Sequence, residues 1–328
     1  MITLYANRAL GILSSFLREN EHVTTWLLPA NICFSVPFTF LSLGRHIEFY
    51  DFDPFANTVY AALSKHYSTQ TGVLLLNHYG LPYDDEVIST IKQYAALLIV
   101  DACLSPPSLL PLQDLKADLT LYSTGKGKVI ELGYGAFGHV KSPLRNQSVP
   151  CHCPESLSTA YTQMETYWKS VLNGTPFDSK AVFTADWIDE GNQLVTSSNS
   201  YLQTIEKNLE CTLLHKSKLN ALYSSEIDPD FHWHPSGNDW RFNILVDDPK
   251  LVIQEIFSVN LFASQHYANA AAYISNNRDL KNADLVERHM VNLFNSPNVT
   301  QSFAQQCADI ISRLIRQGKL KPIKLLTL

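Results

Sequence analysis

What most constrains this 328-residue chain is a rhythm of short apolar runs that stop on small or polar residues, separated by stretches long enough for a helix. The runs are "WLLPA" (26 to 30), "HIEFYDF" (46 to 52), "GVLLLNHYG" (72 to 80), "ALLIVDAC" (96 to 103), "LTLYS" (119 to 123) and "GAFGHV" (135 to 140). Apolar runs of this length bounded by turn formers read as buried strands. Between several of them lie helical patterns such as "DDEVISTIKQYA" (84 to 95). Strands alternating with helices imply an α/β fold, with a mostly parallel central sheet covered by helices on both faces. Ligands of such sheets sit beyond the carboxyl ends of the strands. That rule points to Pro29 to Phe34, Asn77 to Gly80, Asp101 to Leu104, and Ser123 onward.

The rest of the chain divides by pattern. Residues 7 to 18 place Leu10, Leu13, Phe16 and Leu17 on one helical face, with Asn7 as the expected N-cap. The middle, about 155 to 225, reads as long helices, and a strand pattern returns in "FHWHPSGNDWRFNILVDD". The simplest division is a large domain over 1–227 and a small α+β domain over 228–328. No internal repeat or low-complexity tract breaks this plan.

Net charge of −6, spread without long runs, gives no footprint for nucleic acid or an anionic membrane. No run reaches the roughly 18 apolar residues of a membrane span, and the first residues lack a basic segment followed by an apolar one. A cytoplasmic protein is expected. The six cysteines read as reduced thiols. The cluster Cys151, His152, Cys153 has the wrong spacing for a zinc knuckle and no answering pair, so no metal is expected.

Several residues carry chemistry. Asp101 ends an apolar strand, where an aspartate binds a metal or a ribose, or caps a helix. Ser123 ends the next strand, and "STGKGK" places Lys126 and Lys128 in a glycine-rich turn suited to phosphate beside a reactive amine. A Walker loop is excluded, because Lys128 is followed by Val129 rather than Ser or Thr. Pyridoxal phosphate chemistry joins these parts. It needs a lysine for the cofactor aldehyde, an aspartate for the pyridine nitrogen, and hydroxyls with a helix N-terminus for the phosphate.

At this point the chain resembles the DegT/StrS-type family of pyridoxal-phosphate-dependent sugar aminotransferases, of fold type I. "ANRAL" (6 to 10) is similar to the family's Ser-Gly-Thr-Ala-Ala helix start, and "NHYGLPYD" (77 to 84) to its His-x-Tyr-Gly-x-Pro segment. "WLLPANICFSVPFTFLSLGRHIEFYDFDP" (26 to 54) resembles the block between its second and third strands, and "LIVDACLS" (98 to 105) its Glu-Asp-Ala-Ala-Gln. "YSTGKGKVIELGYGAFG" resembles the segment that carries the family's lysine and its glycine pair. "WRFNILVDDPKLVIQEIFSVNLFASQHY" (240 to 267) and "MVNLFNSPNVTQ" (290 to 301) resemble its small domain. The family's lysine falls five residues after the serine and seven before the glycine, which selects Lys128 through Gly135 over Lys126.

The resemblance implies that Lys128 and Asp101 are catalytic, and that Ser123, Asn7 and Arg8 hold the cofactor phosphate. Cys33 stands where the family has an aromatic stacked on the ring, with Phe34 beside it. Leu104 replaces a glutamine that would reach the cofactor hydroxyl, a contact Asn77 is positioned in sequence to supply. Arg241 is either a carboxylate-binding residue for the amino donor or a surface strand residue. His78, His232, His234 and His266 are uninformative one by one. The implied activity moves an amino group from an amino acid donor to a keto acceptor, which in the family is a nucleotide-linked sugar, and the implied assembly is a homodimer. Two other readings stay open: a non-catalytic protein that keeps the fold, and a sugar dehydratase, against which Lys128 argues because those relatives carry histidine there.

Overall fold

A computed structural model describes residues 2–51, 59, 61–62, 70–109, 116–144, 199–234 and 240–324. Cys151 to Cys153 and the first of the expected middle helices lie outside these residues.

The expected strands form. They are β2 (Thr25–Pro29), β3 (His46–Tyr50), β4 (Thr71–Leu76), β5 (Leu97–Asp101), β6 (Leu119–Ser123) and β7 (Ala136–Val140). A strand not expected from the sequence, β1 (Ile2–Ala6), pairs antiparallel with β7. Its partner lies more than a hundred residues away, so no local pattern announces it. The sheet order is β1-β7-β6-β5-β4-β2-β3, with β3, β2, β4, β5 and β6 parallel and β7 antiparallel to both its neighbours.

Side-chain alternation along these strands feeds two cores, one on each face of the sheet. Leu74, Leu76, Ile99, Leu119 and Leu121 pack with α1 (Ala9–Glu19) and α2 (Ser35–Ser42) through Ile12, Leu13, Phe16 and Phe38. Val73, Leu75, Leu98, Val100 and Tyr122 face the other way, toward Ile91 of α3 (Asp85–Tyr94) and Ile205 of α4 (Asn199–Glu226). Both faces are buried, which is why the strands read as continuous apolar runs.

Helix α1 starts one residue later than its sequence suggests. Arg8, extended at φ −146° and ψ 150°, is the N-cap, and no side chain caps the helix. Asn7 is instead buried, its carbonyl accepting from the Gly135 N–H at 2.9 Å.

A second sheet, order β8-β10-β9, is antiparallel and built from β8 (Phe242–Leu245), β9 (Ala263–Ser264) and β10 (Met290–Leu293). Its core includes Phe242, Ile244, Val291 and Leu293. Val252 and Ile256 of α5 (Pro249–Ser258), Ile311 of α8 (Gln301–Arg316), and Leu219 and Tyr223 of α4 complete it. Two further helices, α6 (Ala270–Ile274) and α7 (Lys281–His289), lie between β9 and β10. Asp51, just past β3, accepts from the Asn282 and Ala283 N–H groups at 3.0 and 2.8 Å. It thus satisfies the first turn of α7, in place of a local cap.

Candidate active site

A cavity of about 300 Å³ opens where the carboxyl ends of β4, β5 and β6 meet the start of α1 and the segment leading into β8. Register explains its strand-side wall. Leu76 pairs with Asp101, and Asp101 with Leu121, so Leu76, Asp101 and Leu121 line up on the α1 face, with Ser123 two residues further on that same face. All four line the cavity. Asp101 accepts from the Cys103 N–H at 3.0 Å, which fixes its carboxylate at the strand end.

The lysine turn follows β6. Gly127, Gly133 and Gly135 all have left-handed φ, at +69°, +82° and +89°. At Gly135 a Cβ would come within 2.6 Å of the Tyr201 ring, so the glycine is required twice over. Thr124 closes the base of the turn, its hydroxyl donating to the Tyr134 carbonyl at 2.7 Å. Both Lys126 and Lys128 line the cavity, but Lys126 is exposed and Lys128 half-buried. Among the described residues Lys128 has no carboxylate in ion-pair range.

Of the remaining expected residues, Asn7, Arg8, Cys33 and Arg241 also line the cavity. Cys33 Sγ lies 3.0 Å from Ser35 Oγ. Phe34 turns into the core against Phe38 and Tyr273, and is not a lining residue. Asn77 does not line the cavity either. It follows Leu76 and so turns to the opposite face, where its Nδ2 donates to Ser105 Oγ at 2.9 Å and its Oδ1 is buried without a partner.

Arg241 is far from a surface strand residue. Only 8% exposed, its guanidinium lies 4.3 Å from the Trp240 ring and 3.8 Å from the Phe294 ring, and donates to Ser264 Oγ. Burial lowers its pKa to about 10, with Tyr267 and Glu131 opposing the shift, so it stays charged at neutral pH. No carboxylate among the described residues pairs with it. A buried, stacked, unneutralised guanidinium facing a cavity is built to meet an anion.

Sequence reasoning gave no site role to Trp240, His266, Tyr267 or Cys103, all of which line the cavity. Burial, then the nearby positive charges of Arg241 and Lys128, push the His266 imidazole down to about 3, so it is neutral at any ordinary pH. Its backbone is held by Tyr79, whose hydroxyl donates to the His266 carbonyl and accepts from the Tyr267 N–H at 3.1 Å. Tyr79 and His78 thus support the site from behind: His78 Nε2 lies 3.0 Å from the Asn31 carbonyl. Burial likewise raises the Cys103 thiol pKa, Asp101 adding to the effect and Lys128 opposing it, so Cys103 is a thiol rather than a thiolate. The signal for Trp240 was its place beside Arg241 in "WRF". Cys103 falls in the strand-end stretch Asp101 to Leu104, and nothing local marks His266 or Tyr267.

No protein-family model matches the chain, and no curated protein matches it. Solved structures do. Spr1654 from Streptococcus pneumoniae, in its PMP form, superposes with a TM-score of 0.68 at 13% identity, over 96% of this chain and 88% of that one. It has also been solved in a PLP form, with the same TM-score and identity. PseC of Helicobacter pylori, an aminotransferase involved in the biosynthesis of pseudoaminic acid, gives 0.66 at 14% identity, over 96% and 87% of the two chains. A DegT DnrJ EryC1 StrS aminotransferase from Brucella abortus gives 0.66 at 12%, over 95% and 85%. At such identities what is shared is the fold, and this chain has the α/β fold of the pyridoxal-phosphate aminotransferases, fold type I.

Proposed function

We propose that the protein is a pyridoxal-phosphate-dependent aminotransferase that moves an amino group from an amino acid donor to a keto acceptor. The observation that carries this reading is the meeting of Lys128, Asp101 and Ser123 with the start of α1 in one cavity. Likeness to a protein solved in PLP and PMP forms supports the cofactor.

The residues present fit that group. Lys128 offers an amine with no competing carboxylate among the described residues. Asp101 lines the cavity with a carboxylate that accepts one backbone N–H. Ala9 and Leu10, in the first turn of α1, line it too, so the positive end of that helix meets the cavity, where it would suit an anion. The volume lies at the low end of ligand pockets, which run from about 300 Å³ upward.

When bound, the cofactor supplies an aldehyde for the amino group and a conjugated ring that accepts electrons. The chain supplies the rest. Lys128 Nζ would hold the aldehyde, and its amine would carry a proton to and from the substrate carbon. Asp101 would keep a proton on the ring nitrogen. Ser123, Arg8 and the α1 N–H groups would hold the phosphate, and Asn7 fixes the turn through its carbonyl. Arg241 receives the donor carboxylate. Trp240, Tyr267 and Leu104 keep water from the reacting carbon, where low dielectric strengthens each of these charge contacts. Neutral His266 adds a hydrogen-bonding group without adding charge.

On the same reading the chain is a cytoplasmic homodimer whose cofactor-binding domain covers 1–227 and small domain 228–328. Among the described residues, no helix is long and apolar enough to cross a membrane. A sugar acceptor, nucleotide-linked in the finer form of the proposal, draws support from PseC and its part in pseudoaminic acid biosynthesis.

The test is spectroscopic. Purified protein should show the absorbance of lysine-bound cofactor, Lys128→Ala should lack it, and an amino acid donor should convert it to that of the amine form. Wild-type protein that takes up no pyridoxal phosphate overturns the reading. Bound cofactor that responds to no donor leaves only a binding protein with the fold.

A further inference from the structure

We infer that Trp240 is a positioning residue that selects Lys128 over Lys126, by fixing the backbone on both sides of Lys128 from the C-terminal sheet. The inference rests on the cofactor reading above.

Proximity alone does not choose between the lysines, since both line the cavity. Their backbones differ. Gly127, just before Lys128, accepts from the Trp240 indole N–H at 2.6 Å. Val129, just after it, is 1% exposed and packs in a cluster with Trp240, Tyr79, Leu104 and Trp233. Lys128 is therefore held between two anchors that share one indole neighbourhood. Lys126 shares Gly127 as a neighbour, but its other neighbour, Gly125, bridges to Gly133 within the same turn and not to the second sheet.

The indole in turn does not move with the loop. It is 4% exposed, and its ring stacks on Tyr267 at 6.1 Å and 14°, with Tyr79 at 5.9 Å. The carbonyl of Trp240 accepts from Lys216 Nζ at 3.0 Å, and Lys216, only 1% exposed, also donates to Asn295 Oδ1 at 2.8 Å. A buried lysine amine on α4 thus holds Trp240, which holds Gly127. The chain of contacts runs from the second core to the reactive amine. It also joins two tasks in one dipeptide, because the Arg241 guanidinium lies against the same indole and Arg241 Nη2 is 3.6 Å from where a Gly127 Cβ would stand.

The experiment maps which lysine carries the cofactor. Wild type and Trp240→Phe are loaded with pyridoxal phosphate, reduced with borohydride, and digested, and the label at Lys126 and Lys128 is quantified by mass spectrometry. Losing one hydrogen bond of about 1 kcal/mol should raise the Lys126-to-Lys128 label ratio about fivefold. A second variant, in which 3-benzothienylalanine replaces Trp240, keeps the two-ring shape and removes only the N–H. It should shift the ratio in the same direction even where Phe impairs folding. Wild type labelled at Lys128, with the ratio unchanged in the benzothienyl variant, overturns this inference and leaves the cofactor reading standing. Wild type labelled at neither lysine overturns both.

Discussion

The two walls of the cavity are built in opposite ways. The strand-side wall, Leu76, Asp101 and Ser123, is set by parallel register, so each side chain is placed by its neighbours on adjacent strands. The facing wall, Trp240, Arg241, His266 and Tyr267, comes from residues that flank strands of the second sheet and is held by a few side-chain bonds with Tyr79, Ser264 and Lys216. On the proposed function the first wall would carry the groups of cofactor chemistry, and the second the cation and the aromatic surface that would meet the substrate. Chemistry would then sit on the part set by sheet register, and recognition on the part whose placement depends on a few contacts.

Substitutions can break this contrast. Lys128→Ala should give the largest effect, lowering transamination by at least about 10³-fold, within the usual range for a proton-transferring group. Lys126→Ala should stay near wild type in a donor half-reaction assay. Arg241→Lys should cost about 1.5–3 kcal/mol in kcat/KM for the donor, appearing in KM, because an ammonium cannot reproduce the stacked guanidinium fork. An unchanged donor KM would remove Arg241 from the recognition wall.

Tyr79→Phe tests the support from behind. It deletes both hydroxyl bonds to the His266 and Tyr267 backbone. The expected cost is about 1–3 kcal/mol of stability, with donor KM raised and cofactor affinity little changed. Equal loss of cofactor and donor affinity would show that the two walls are not separable.

The smallest effect concerns acid. Burial lowers the His78 pKa to about 4 from 6.5, and His266 is lower still. Between about pH 6.5 and 4 the unfolded chain binds protons that the folded one refuses, so stability falls as pH drops through that window and is unaffected by these groups above it. His78→Asn should make the pH dependence of the thermal midpoint shallower there, by at most one proton, or about 1.4 kcal/mol per pH unit.

What the sequence made legible follows the same contrast. That Asp101 and Ser123 end strands and that Lys128 lies in the turn beyond could be read, because a strand end and a glycine-rich turn are local facts. Asn77 was misplaced by one step of alternation: Leu76 takes the cavity face and Asn77 the other. The start of α1 shifted from Asn7 to Arg8 because the Asn7 carbonyl is taken by Gly135, a partner 128 positions away. Arg241 could be named but not placed, and Trp240, His266 and Tyr267 became visible only when Tyr79 and Lys216 had brought their backbone to the cavity. β1 was hidden for the same reason, its pairing being wholly long-range.

One helix joins the two halves of this contrast. The 28 residues of α4 make a rod about 42 Å long. Tyr201, Leu202 and Ile205 near its start pack on the first sheet, and Leu219 and Tyr223 near its end lie in the core of the second. Neither core can be dismantled without stripping one end of that rod and exposing its apolar side chains to water. Denaturant unfolding should therefore trace a single cooperative transition when followed at both ends of α4, rather than the staggered melting of two independent modules.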